Sequence, residues 1–119
     1  MKIEPLGEGE IQHRILVWTA LSDTFLDTEL DETSYQAIAR TLKTSGYSGE
    51  ELQWMYRNEV APAFYTNLLD IAGEWAAFHE EIVREEVLAK RGKKLPTLLG
   101  KMLFADFLES EWAKIARYL

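Results

Sequence analysis

The chain contains no cysteine, and it has little of several other residues on which catalytic chemistry commonly depends. Without a thiol it has no disulfides, no thiolate metal ligands and no cysteine nucleophile. Its two histidines, His13 and His79, form neither an HExxH motif nor any other paired spacing. A GxSxG elbow and a Gly-rich phosphate loop are also missing. These absences count against an enzyme, so we expect no catalytic residue, no cofactor and no metal site.

Positive charge is scarce as well. Thirteen Lys and Arg stand against 20 Asp and Glu, which gives a formal net charge of −7 over 119 residues. Nucleic acids and anionic membranes are themselves negative, so we expect the chain to bind neither. Its longest apolar stretches, residues 15–18 and 101–108, fall short of the roughly 20 residues that cross a bilayer. The first ten residues carry three glutamates instead of a signal peptide's cations, which predicts a cytoplasmic protein.

The apolar residues that are present follow a helical spacing. They make up 47% of the chain and recur every three to four positions, with no run of period-two alternation and no Asn-Gly or Asp-Gly hairpin signal. This pattern predicts an all-α fold, a compact single-domain bundle of five to six helices. We expect residues 1–10 to form a flexible leader and residues 11–119 the helical domain, with residues 95–119 as a candidate C-terminal extension helix.

The helix boundaries follow from local signals. The spacing predicts helical segments over residues 11–26, 33–43, 48–62, 64–78, 79–90 and 95–119. Asp31 or Thr33 offers an N-cap oxygen to the second segment, and Gly46 suits the left-handed residue that closes it. Ser48 and Glu51 match a capping box at the start of the third segment. Pro62 is expected to disturb that segment, because proline lacks the N–H that a helix interior uses.

The densest concentration of charge lies in residues 23–32, which hold five carboxylates and no cation. Asp23 and Asp27 share a helix face near a helix C-terminus, where they repel each other and the macrodipole opposes them. Three interpretations remain open: a turn with an N-cap for the second helix, a cationic protein partner, or a divalent cation. The calcium interpretation is the weakest, because the EF-hand glycine and terminal glutamate are missing.

Trp54 lies off the apolar line of its own helix, which suggests a surface anchor for a partner. Together with the acidic stretch it completes the predicted partner-binding set. That set is Asp23, Asp27, Glu29, Asp31, Glu32 and Trp54.

Glu59 and Glu74 occupy apolar surroundings in the sequence and are candidate buried carboxylates. A carboxyl group in such a place must find hydrogen-bond donors, or its pKa rises. Two inward carboxylates could perform acid–base chemistry. The structural alternative, which we favour, is that such a group pairs with an arginine such as Arg57, Arg14 or Arg40.

Three sequence blocks resemble a family of short, uncharacterised bacterial proteins. They are ALSDTFLDTEL in residues 20–30, EVAP in residues 59–62 and GEWAAF in residues 73–78. The resemblance extends over roughly residues 11–88. It implies a stand-alone bacterial domain of unknown function and supplies no activity.

Three functional hypotheses follow. The first is a small acidic protein-binding module, of the immunity or antitoxin kind, that neutralises a basic protein partner. The second is a small enzyme or accessory subunit with a carboxylate site at Asp27, Glu59 and Glu74. The third is a helical scaffold that forms homo-oligomers through residues 95–119.

Overall fold

Helices make up most of the described part of the chain. The computed structural model describes residues 5–25, 30–64, 79–91, 102 and 104–119. A 3₁₀ turn (Asp23–Phe25) and a π turn (Tyr56–Val60) occur among them, and residues 61–64 continue helically. These residues contain no strand, and the predicted all-α fold is confirmed. The α-helices are α1 (Glu8–Ser22), α2 (Glu32–Thr44), α3 (Gly49–Met55), α4 (Glu80–Lys90) and α5 (Ala105–Ala116).

Helix α1 begins three residues before the predicted start at residue 11 and ends four residues before the predicted end at residue 26. Glu8 and Glu10 lie in its first turn, where negative charge favours the helix dipole. At the other end, the Ser22 hydroxyl donates to the Thr19 carbonyl at 2.6 Å, and the Thr24 hydroxyl donates to the Leu21 carbonyl at 2.8 Å. These hydroxyls bind two of the last carbonyls of α1, where the chain passes into the 3₁₀ turn.

The signals around α2 and α3 act as predicted. Asp31 caps α2 by accepting a hydrogen bond from the Ser34 amide at 2.9 Å. Gly46 has a φ of +81°, the left-handed conformation expected after a helix end. Ser48 and Glu51 form a complete capping box at the start of α3. The turn between the two helices is therefore fixed by local chemistry.

Pro62 disturbs the third helix without ending it, and the disturbance lies just before the proline. In the π turn the Ala61 amide donates to the Tyr56 carbonyl, five residues earlier. In a regular helix the ring of Pro62 would clash with the carbonyl of Asn58, and the π turn that contains Asn58 departs from that regular geometry. The helical path then continues through Pro62 to residue 64. The π turn is important for the site because it carries Glu59.

Helix α1 lies at the centre of the core and packs against α2, α4 and the π turn. Val17, Trp18 and Leu21 on α1 are fully buried, as are Val83 and Val87 on α4. The Cα radius of gyration is 13.3 Å, close to the value of about 13.5 Å for a compact domain of this length. The fold is therefore a compact single globule. Within the described ranges, none of the helices has the length and apolar character that spanning a bilayer requires.

Candidate functional site

Glu59 is a fully buried carboxylate on the π turn. Its Oε1 accepts a hydrogen bond from Trp18 Nε1 at 3.0 Å. Its Oε2 accepts from Arg14 Nη1 at 2.8 Å and from Nε of Arg91. Of the three arginines considered from the sequence, Arg14 is therefore the partner, and Arg91 was missed. Both carboxylate oxygens are engaged, so Glu59 ties α1 and the residue after α4 to the π turn.

The ion pair continues outward from Glu59 to the surface. Arg14 Nε donates to Glu10 Oε1 at 2.6 Å, and the Tyr47 hydroxyl donates to the same oxygen at 2.6 Å. The hydrogen bond from Tyr47 makes the largest contribution to lowering the pKa of Glu10, and the hydrogen bond from Arg14 makes the second largest. Burial, together with the hydrogen bond to Glu10, raises the pKa of Tyr47 to about 12. Glu10, Arg14 and Glu59 therefore form one alternating chain of charges.

His13 belongs to the same cluster. Its Nε2 donates to the Ser45 carbonyl at 2.8 Å, because a carbonyl oxygen can only accept. Its ring stacks on Tyr47 with 4.7 Å between the ring centroids. His13 thus attaches α1 to the end of α2, which is a structural role.

A surface pocket of about 280 Å³ opens beside this cluster. Arg14 contributes a cation to its wall, and Glu50 and Glu51 contribute two carboxylates from the first turn of α3. Trp54 is 38% exposed, so part of its ring faces solvent at this pocket. We call this site the Trp54 pocket, and its lining residues are Arg14, Tyr47, Glu50, Glu51, Trp54 and Met55.

The structure places the described acids of residues 23–32 in three different environments. Asp31 is the N-cap of α2. Glu32 lies with its Oε1 at 3.9 Å from Arg117 Nη1, a long and exposed ion pair. Asp23 is half-buried, and burial raises the pKa of its carboxyl group. Asp27 and Glu29 lie outside the described residues.

The carboxylate site considered for an enzyme is described only at Glu59. Asp27 and Glu74 lie outside the described residues, and Glu59 itself accepts hydrogen bonds at both oxygens from the chain's own side chains. In the described ranges, no three His, Asp or Glu side chains are grouped so that they could hold a metal ion. Glu59 is therefore enclosed by side chains of the protein and has no contact with solvent.

Sequence reasoning missed a second buried carboxylate, Glu111 on α5, which is 8% exposed. Its two oxygens accept from the Tyr35 hydroxyl at 3.0 and 2.8 Å, and Lys114 Nζ lies 3.2 Å from Oε2. The position of Glu111 in the sequence was the signal that could have identified it as buried. Glu111 stands three residues after Leu108 and four before Ile115, on the buried line of α5.

Comparison with protein families places nearly the whole chain in one family. The family described as Domain of unknown function (DUF7079) matches residues 12–118. That range reaches from α1 to the end of α5. Comparisons with curated proteins and with solved structures give no match.

Proposed function

We propose that this chain, which belongs to the family of unknown function that matches residues 12–118, is a small protein-binding module for a basic protein partner. The family match confirms the uncharacterised family expected from the sequence. The supporting observation is an exposed tryptophan at the rim of a pocket that also carries two carboxylates. The finer form of the proposal is an immunity or antitoxin-like protein of bacterial origin that neutralises a cationic protein.

The net charge of −7 gives the partner its chemistry. An acidic surface attracts a cationic protein over distances of about a Debye length and can raise its association rate by orders of magnitude. Attraction of this kind selects a class of partner without fixing how the two proteins dock. A specific contact must supply the orientation.

Trp54 has the properties of such a contact. Tryptophan is among the residues that most often dominate binding energy when they lie at the centre of an interface. Trp54 already lines a pocket with Met55, so it is held on one side by the protein and open to a partner on the other. Asp31 and Glu32 are partly used within the fold, which makes the Trp54 pocket the better candidate for the specific contact.

Affinity capture from a lysate of the source organism tests the proposal. The immobilised chain is compared with Trp54→Ala, Glu50→Lys and the matched control Glu81→Lys. Glu50 and Glu81 are both exposed, both occupy the second position of a helix, and both substitutions change the net charge equally. We expect the wild type and the control to retain a basic protein, and the two pocket variants to retain about tenfold less, or about 1.4 kcal/mol.

Equal retention by all four proteins, or capture of an acidic partner only, would contradict the proposal.

The acidic stretch, residues 23–32, is tested in the same assay. The double variant Asp27→Lys and Glu29→Lys is expected to weaken capture with little change in melting temperature. Unchanged capture would remove that stretch from the proposed contact and leave the Trp54 pocket.

A further inference from the structure

Arg14 and Tyr47 in the Trp54 pocket are already engaged by other side chains. Arg14 is bound by Glu10 and Glu59, and these carboxylates raise its pKa although desolvation acts in the opposite direction. Tyr47 stacks on His13, and the guanidinium of Arg14 lies 5.9 Å from the Tyr47 ring centroid. The cation of the pocket and one of its two aromatic rings are therefore satisfied within the protein.

Three side chains of the pocket are wholly or partly unused. Within the part of the chain that the structure describes, the Glu50 carboxylate has no hydrogen bond or ion pair, and the Trp54 indole has no hydrogen bond and no cation over its ring. Glu51 uses Oε1 to accept from the Ser48 amide at 2.9 Å, which leaves its second oxygen. The unused groups are thus an indole ring and carboxylate oxygens.

We propose that the Trp54 pocket binds an arginine side chain of the partner, with the guanidinium against the Trp54 indole and paired with Glu50. This inference rests on the proposed function and names the residue that the site recognises. Tryptophan is the best aromatic ring for a cation, and a guanidinium both stacks on a ring and pairs with carboxylates through its planar donors. A lysine ammonium cannot stack and is more strongly hydrated.

Size and charge support a single cationic side chain as the occupant. The pocket volume of about 280 Å³ lies just below the range of about 300–1,000 Å³ that is usual for small-molecule sites. The lining contains two carboxylates, Glu50 and Glu51, and one cation, Arg14. Arg14 is already bound by two further carboxylates. The charge balance therefore disfavours an anionic ligand.

Nuclear magnetic resonance of the tryptophan indole N–H groups tests the inference on the full chain. The chain has four tryptophans, and Trp54→Phe assigns the signal of interest. The probes are N-acetyl-arginine amide, the corresponding lysine derivative and the uncharged citrulline derivative. We expect the arginine probe to shift the Trp54 signal saturably in the millimolar range, the lysine probe to bind severalfold more weakly, and the citrulline probe to give no saturation.

Matched variants identify the carboxylate. Glu50→Gln is expected to weaken the arginine probe severalfold, whereas Glu81→Gln leaves it unchanged. The other three indole signals report whether each variant is folded. Equal responses to arginine and citrulline, equal shifts of all four indoles, or an unaffected Glu50→Gln titration would overturn the inference.

The two proposals can fail separately. If capture of a partner depends on Trp54 but the probes show no preference for arginine, the arginine pocket is wrong and the protein-binding function stands. If the arginine probe binds as expected but capture ignores Trp54 and Glu50, the pocket is an arginine site and the proposed function at this surface is wrong.

Discussion

Asp23 is an acid in an unfavourable position. It caps the C-terminus of α1, where the helix dipole opposes negative charge, and it is half-buried with a raised pKa. Asp23→Asn removes the charge and keeps the shape, so we expect greater stability at neutral pH. The folded pKa lies above the unfolded one, so the advantage of the variant shrinks as the pH falls through the folded pKa and is gone below the usual aspartate value of 3.8, where Asp23 is neutral in both states. Urea unfolding across this pH range measures the difference.

Asp106→Asn is the matched control for Asp23→Asn. Asp106 lies exposed in the first turn of α5, where the dipole favours a negative charge. The control is expected to lose a few tenths of a kcal/mol at neutral pH. If Asp23→Asn also lost stability there, desolvation and the dipole would not be the dominant influences on Asp23.

Glu59 is fully buried between two arginines, so we expect its charge to matter for stability. Glu59→Gln leaves Arg14 and Arg91 without their shared carboxylate, and breaking a buried ion pair in this way typically costs about 3–5 kcal/mol. We expect a large decrease in the urea midpoint of unfolding. The control is Glu8→Gln, which removes the exposed Glu8–Arg84 pair and should change stability by less than about 1 kcal/mol. Similar losses for both variants would show that the buried network is not a structural centre.

At the scale of the helices, Tyr47 joins the turn after α2 to α1 through its hydrogen bond to Glu10. Tyr47→Phe is expected to lower stability at neutral pH by about 1 kcal/mol, a typical value for one hydrogen bond. The folded pKa of about 12 exceeds the usual tyrosine value of 10.0, so the wild type keeps this contribution below pH 10 and loses it as the pH rises through 12.

The stability gap between the wild type and Tyr47→Phe should therefore narrow in alkaline solution. Chemical unfolding at a series of pH values above neutral measures it. Tyr56, which is buried and hydrogen-bonded to Thr24, is present in both proteins and cancels from the comparison. A constant gap would mean that ionisation of Tyr47 is not linked to folding.

The sequence predicts those features of the helices that depend on neighbouring residues. Asp31, Gly46 and the Ser48–Glu51 capping box act within three or four positions, so their signals are complete in the sequence. The α1 boundaries were predicted less well. The end of that helix involves Thr24, whose hydroxyl also meets Tyr56, 32 residues away, and no local pattern contains that contact.

For the candidate site too, the local features could be predicted from the sequence and the long-range contacts could not. Register alone suggested Trp54 as a surface residue and Glu59 as an inward one. Their surroundings depend on distant segments, since Arg14 is 45 residues from Glu59 and Arg91 is 32 residues from it. Helical spacing can show that a carboxylate is buried, but several arginines satisfy the same charge requirement. The choice among them is made by packing of the whole fold.

At the scale of the whole molecule, excess negative charge is spread over dimensions of 35 × 34 × 25 Å. At 0.1 M salt the Debye length is about 10 Å, so repulsion across the molecule is largely screened. The buried contacts of Glu59 lie at hydrogen-bond distances in the interior and are screened much less. Added salt should therefore weaken the repulsion between surface charges more than it weakens the buried attraction around Glu59.

We accordingly expect the melting temperature to rise when sodium chloride is increased from low to moderate concentration at neutral pH. Glu85→Lys combined with Glu109→Lys replaces two exposed acids and changes the net charge from −7 to −3, since each substitution adds two positive charges. Its melting temperature should respond less to salt, because less self-repulsion remains to be screened. A melting temperature that fell with salt in the wild type would show that surface ion pairs such as Glu8–Arg84 outweigh the net repulsion.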